Sequence, residues 1–111
     1  MNNNRLQKLL EFIKQEPDDP FLKYALAIEY LKLEDQETAL SYFEDLVSSH
    51  PDYTGTYYHL GKLYETLGRK GDAVKTYRDG MQHAKNARDN HAFAELQSVY
   101  NSLMDLDYED D

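Results

Sequence analysis

The feature that most constrains this chain is a motif that recurs after 34 residues. Tyr57, Leu60-Gly61 and Tyr64 are followed, after a turn over Gly68 to Gly71, by Ala73 and Tyr77. At the equivalent earlier places stand Leu26-Ala27, Tyr30, Ala39 and Phe43. Pro17 and Pro51 keep the same separation. Within each copy the apolar residues fall three and four apart, which predicts two amphipathic helices. Gly61 and Ala73, one in each helix of the second copy, predict a close helix–helix contact there. A period of about 34 residues is that of a stacked helix–turn–helix unit, which cannot bury its apolar face alone.

These residues resemble the tetratricopeptide repeat family, whose pattern is aromatic-x2-Leu-Gly-x2-Tyr, then Ala-x3-Phe, then Pro. The resemblance implies an all-α fold: a short right-handed α-solenoid of antiparallel helix pairs, with five to six helices. It implies packing roles for Leu26, Ala27, Tyr30, Ala39, Phe43, Pro51, Tyr57, Leu60, Gly61, Tyr64, Ala73 and Tyr77. Two residues depart from the pattern within the repeats: Lys23 replaces the first aromatic, and Lys85 stands where a second terminal Pro belongs.

One domain is expected over residues 1–106. An N-terminal helix is predicted over 4–16, capped by Asn3 or Asn4, with Leu6, Leu9, Leu10, Phe12 and Ile13 as its apolar stripe. Pro17 ends it and places it where the second helix of an earlier repeat would stand. Asp18-Asp19-Pro20 is a helix start, with Asp as cap and Pro in the first turn. Repeat one covers 20–52, with helices over 20–33 and 36–49. Repeat two covers 53–87, with helices over 53–67 and from about 71 to 86. Gly68 is read as a left-handed cap. A capping helix is predicted over 90–106. A step of 36 residues restores the motif there as Phe93, Leu96 and Tyr100, with Gln97 where the repeat wants a small residue. The acidic tail, 107–111, is expected to be disordered.

Charge narrows the partners. The net charge is −9, and the segment Asp105 to Asp111 supplies five acids and no base. Neither the chain nor its tail has the basic surface of a nucleic-acid binder, and anionic membranes would repel it. The tail reads as a solubilising segment, or as a ligand for a basic patch or for the chain's own groove, with Tyr108 as anchor. The chain has no Cys. No signal-type segment and no run of about 20 apolar residues is present, so the expected compartment is the cytoplasm. His50, His59, His83 and His91 show no metal-ligand spacing. No phosphate loop or nucleophile arrangement stands out. The expectation is therefore a non-enzyme with no cofactor and no metal.

In the family, the first helices of successive repeats line a concave groove, and the second helices form the outer wall. The resemblance therefore points to a protein or peptide partner lying against Phe21, Tyr24, Ile28 and Leu31 on helix 20–33, and Tyr58, Lys62 and Glu65 on the next first helix. The capping helix would add Ala94, Ser98 and Asn101. Helix 20–33 carries one apolar stripe at Leu22, Ala25, Leu26 and Tyr30, and a second at Phe21, Tyr24, Ile28 and Leu31. A helix apolar nearly all round is covered on several sides. The cover is a partner segment, the N-terminal helix, or a second copy in a homodimer. No carboxylate clamp is expected, because Tyr24, Ile28, His59, His91 and Glu95 stand where that clamp places cationic donors.

Overall fold

The computed structural model describes residues 4–109, with side chains through residue 105. Those residues form six helices and no strand: α1 (Asn4–Gln15), α2 (Pro20–Lys32), α3 (Gln36–Ser49), α4 (Gly55–Thr66), α5 (Lys70–Asn86) and α6 (Asn90–Glu109). They group into two compact units, Met1–Tyr53 and Thr54–Asp111. The fold class is all-α, built from antiparallel helix pairs.

In the first unit, α2 lies between α1 and α3. Leu6 and Leu9 of α1 pack on Leu22, Ala25 and Leu26 of α2, with Leu10, Ile13, Tyr30 and Tyr42 half-buried around them. The Tyr30 and Tyr42 rings stack with centroids 5.9 Å apart. Arg5 Nε donates to Glu29 at 2.9 Å and pins the start of α1 to the same side of α2. The entry to α2 follows from Asp19-Pro20. The Asp19 carboxylate accepts from the Phe21 and Leu22 amides at 2.9 and 3.4 Å, and Pro20 opens the helix where its missing N–H costs nothing. Asn4 is already helical, and a cap by Asn3 lies outside the described residues.

Lys23, the departure from the aromatic pattern, is only 8% exposed. Its ammonium sits 2.8 Å from Asp45 and 3.1 Å from Asp18. His50 Nε2 lies 2.9 Å from the Asp18 carbonyl and 3.2 Å from its carboxylate. The position therefore holds a polar clasp between the start of α2 and the end of α3. The Asp45 carboxylate holds the Lys23 ammonium above its ordinary pKa. Hydrogen bonds from Lys23 and His50 hold the Asp18 carboxyl below the usual carboxylate value.

In the second unit, α4, α5 and α6 pack against one another. Tyr57, Leu60, Leu63, Tyr64, Ala73, Tyr77, Ala84, Ala92, Leu96 and Leu103 are buried. The close approach expected between Gly61 and Ala73 takes a different partner. Gly61 faces the ring of Tyr77, and a Cβ there would overlap it. Ala73 is fully buried one turn earlier on α5. The reason is the helical offset: the bulky Tyr77, not the small Ala73, fills the gap that a missing side chain leaves. A second close approach occurs at Gly80, where a Cβ would lie 2.5 Å from Tyr57 Cβ and 3.0 Å from Leu96. Tyr57 also stacks on His83, with ring centroids 5.6 Å apart.

Three turns share one chemistry. After α2, the amides of Glu34 and Asp35 return to the carbonyls of Leu31 and Tyr30 at 3.0 and 2.9 Å. After α4, Gly68 and Arg69 do the same to Glu65 and Tyr64, and after α5, Arg88 and Asp89 to Lys85 and Ala84. Each is a Schellman cap, and each needs a left-handed residue. Gly68 supplies it at φ 76°, as expected from sequence, but Glu34 and Arg88 also adopt φ 62° and 58°. The residue after each cap then begins the next helix. Asp35 accepts from the Thr38 amide at 3.2 Å, and Asp89 from the Ala92 amide at 3.1 Å. Asp89 also accepts from the Thr54 hydroxyl at 2.7 Å, which ties the start of α4 to the start of α6. The Thr54 hydroxyl, with the Ala92 amide, lowers the Asp89 carboxyl pKa.

Two helices differ from the predicted spans by two residues or more at one end. The helix expected from 53 begins at Gly55. The Tyr53 amide closes a turn on the His50 carbonyl at 3.0 Å, and its ring packs on Tyr24, centroids 5.7 Å apart. The helix expected to stop at 106 continues to Glu109, because no Gly or Pro interrupts Asn90–Glu109. The first part of the supposed tail, 107–109, is therefore helical backbone, and residues 110–111 lie outside the described residues.

Candidate interaction faces on the first helices

Phe21, Tyr24, Ile28 and Leu31 recur along one side of α2 at helical spacing. The other sides are taken. Leu22, Ala25, Leu26 and Glu29 meet α1, while Lys23 and Tyr30 meet Asp45 and Tyr42 of α3. The N-terminal helix thus covers the first apolar stripe of α2 and leaves the second one. Phe21 is 55% exposed, and Tyr24, Ile28 and Leu31 are half-buried. Tyr24 leans on Tyr53, whose hydroxyl pKa is pushed up by burial.

On α4 the corresponding side chains are Tyr58, Lys62 and Glu65. Tyr58 is half-buried and meets the His59 ring edge-on, with centroids 5.4 Å apart. Burial pushes the His59 imidazole pKa down, against the opposing charge of Glu95. Lys62 is exposed. Glu65 is engaged inside the fold: it accepts a short hydrogen bond from the Tyr77 hydroxyl. Burial first, and then Glu65, raise the pKa of that hydroxyl far above its ordinary value. On α6, Ala94, Ser98 and Asn101 are exposed.

Of the residues given packing roles, Leu26, Ala27, Ala39, Phe43, Tyr57, Leu60, Gly61, Tyr64, Ala73 and Tyr77 are buried, and Tyr30 and Pro51 are half-buried. Sequence reasoning missed the Lys23 clasp, the Gly80 approach and Asp89. For Gly80 a signal existed: it stands one period after Leu46, so a small residue there marks a space filled from another helix.

The described residues hold no group of three or more His, Asp or Glu placed to bind a metal ion. No described helix is long and apolar enough to cross a membrane. Two open hollows occur in the first unit. One of about 290 Å³ is lined by Arg5, Lys8, Leu9 and Phe12, and one of about 490 Å³ lies over the loop from Gln15 to Pro20.

Helix pairs joined by tight turns, with a small residue admitting an aromatic ring, define a helical-repeat protein, and the fold is in general that of a protein-interaction module. The sequence pattern of the tetratricopeptide repeat family matches residues 1–84, and the chain belongs to that family. A tetratricopeptide repeat domain protein from Salinibacter ruber is 48% identical, over 79% of this chain and 98% of its own, with a TM-score of 0.77. A protein from Bordetella parapertussis is 24% identical over 92% of this chain and 89% of its own, at a TM-score of 0.78. The protein MamA is 13% identical over 97% of this chain and 70% of its own, at 0.66. The last two share the fold alone. No curated protein matches the chain.

Proposed function

We propose that this chain is a non-catalytic interaction module that binds a peptide or helical segment of a protein partner through its first-helix faces. Phe21, Tyr24, Ile28 and Leu31 on α2 carry the contact, with Tyr58 and Lys62 as the corresponding side chains of α4. The observation behind this reading is that α1 packs on the Leu22 side of α2, so the second apolar stripe keeps a 55% exposed Phe21 at its end. Such a stripe suits an apolar segment laid along it, with aromatic side chains as anchors. Glu65 completes the α4 set, with one carboxylate oxygen already accepting from the Tyr77 hydroxyl. The acidic character of the chain favours a partner that is not itself strongly acidic.

Selection from a displayed peptide library against the full chain tests this. The expected result is enrichment of apolar peptides that lose binding to a Tyr24→Ala/Ile28→Ala variant and keep it for Lys75→Ala. Peptides indifferent to the Tyr24 and Ile28 changes would refute the assignment. A second reading, homodimerisation through the same stripe, draws on the same exposed Phe21. It predicts a dimer that Phe21→Asp dissociates in sedimentation.

A further inference from the structure

The two ends of the α2 stripe differ in chemistry. Ile28 and Leu31 make its C-terminal end aliphatic. The N-terminal end is aromatic: Phe21 is 55% exposed, and the half-buried rings of Tyr24 and Tyr53 stand 5.7 Å apart, tilted by 52°. Asp19 closes that end. It caps α2, and both cap bonds, from the Phe21 and Leu22 amides, land on Oδ1. Its charge reaches the Tyr53 hydroxyl, which burial and then Asp19 hold above its ordinary pKa. Asp19 also lines the open hollow of about 490 Å³ over the loop from Gln15 to Pro20. In that loop Asp18 is drawn to Lys23 and His50, which leaves Glu16 and Asp19 as the charges of the hollow.

The first unit is acidic around this end. Residues 1–53 hold eleven acids against five bases. Arg5, Lys23 and Lys32 are engaged by Glu29, Asp18 and Asp45, and the other two bases, Lys8 and Lys14, stand on α1. The faces of aromatic rings attract a cation, and a carboxylate beside them adds a full opposite charge. Aliphatic surface at the far end takes an apolar side chain instead. Tyr24 and Leu31 lie seven residues apart, about 10 Å along the helix axis. A partner spans that distance with two turns of helix or about three residues of extended chain. We infer that the partner segment carries an arginine or lysine seated at Tyr24 and Tyr53 beside Asp19, and an apolar side chain on Ile28 and Leu31 about 10 Å further along. Arginine suits the seat better, because its planar guanidinium stacks on a ring while it donates to a carboxylate. The inference rests on the stripe being a binding face, and adds the chemistry of what binds there.

Selection from a displayed random-peptide library against the full chain, followed by titration of the enriched peptides as synthetic copies, tests it. The enriched peptides should pair an arginine or lysine with an apolar residue at the stated spacing. Asp19→Asn removes the charge and keeps a good cap. That variant and Tyr53→Leu should each weaken binding about threefold to tenfold. Replacing the peptide's cation by glutamine should weaken binding to wild type by a similar factor. On Asp19→Asn the same replacement should do little, since both changes remove one contact. The peptide-side replacement needs no variant of the chain, so it decides the matter even where circular dichroism shows a variant losing helix. Peptides that need Ile28 but have no preference for a cation, and ignore Asp19→Asn, overturn this inference and leave the stripe as a binding face. Peptides that ignore Tyr24→Ala/Ile28→Ala overturn both. A selection that yields no stripe-dependent peptide, with a dimer that Phe21→Asp dissociates, gives the stripe to a second copy and overturns the inference as well.

Discussion

Lys23 and Tyr57 occupy the same repeat position and solve the same packing problem in different ways. Tyr57 lies flat on His83 and is admitted by Gly80, whereas Lys23, in a repeat with Leu46 in place of Gly80, ends between Asp18 and Asp45. The Asp18 carboxyl in this clasp titrates below its ordinary 3.8. A depressed carboxylate stabilises the fold above its unfolded pKa, and that contribution is lost as pH falls through the lowered value. Urea melts of wild type and Asp18→Asn should therefore differ near neutrality, with the gap starting to close as pH falls to about 3.8 and gone only below the lowered value. A gap that persists in acid would mean that the ion pairs are not its source. Thr56 poses a different problem at this scale. Its side chain is fully buried, and its hydroxyl has no hydrogen-bond partner. Thr56→Val keeps the shape and removes an unsatisfied polar group. Stability in a chemical melt should stay level or rise by up to about 1 kcal/mol. A clear loss would show that the hydroxyl is paired in solution.

At the scale of elements, the turns set the helix ends. The same cap closes α2, α4 and α5, but only α4 uses glycine for the left-handed residue. Glu34 and Arg88 adopt that conformation with a Cβ, at a cost of roughly 1–2 kcal/mol for an L residue. Glycine removes most of that cost and returns part of it as backbone entropy. Glu34→Gly and Arg88→Gly should each stabilise the chain by about 0.5–1 kcal/mol, read as a rise in melting midpoint. A fall in either would mean that the side chain makes a contact worth more than the strain. Neither left-handed residue is recognisable from its type, since Glu and Arg carry no signal for that conformation. What marks them is their place one residue past an apolar leucine or alanine and one before an acidic cap, Asp35 and Asp89.

For the molecule as a whole, stability in stacked repeats is close to a sum of local terms. The two compact units make this testable. Gly80→Ala forces a Cβ to within 2.5 Å of Tyr57. The overpacking should cost about 1–3 kcal/mol, less the helix propensity that alanine restores. Hydrogen exchange should report the loss mainly in α4, α5 and α6, with α2 and α3 changed less. Equal loss in all helices would show that the chain opens only as one cooperative body. The same locality bears on function: changes on the α2 stripe should alter binding with little effect on the second unit, because those residues belong to the first.

The sequence by itself determined the helices and their order. Proline and glycine punctuation, an aspartate before Pro20, and apolar residues three and four apart act through local backbone geometry, which a linear reading captures. The 34-residue period carried the family, because stacking repeats demand the same small and aromatic residues at the same places. Only the tertiary structure decided which residues meet across helices: Tyr77 rather than Ala73 against Gly61, Lys23 inside an acidic clasp, and α1 on one stripe of α2 rather than the other. Such partners depend on helix offset and rotation, which are fixed by the sum of many weak contacts between residues distant in the chain and leave no local mark in it.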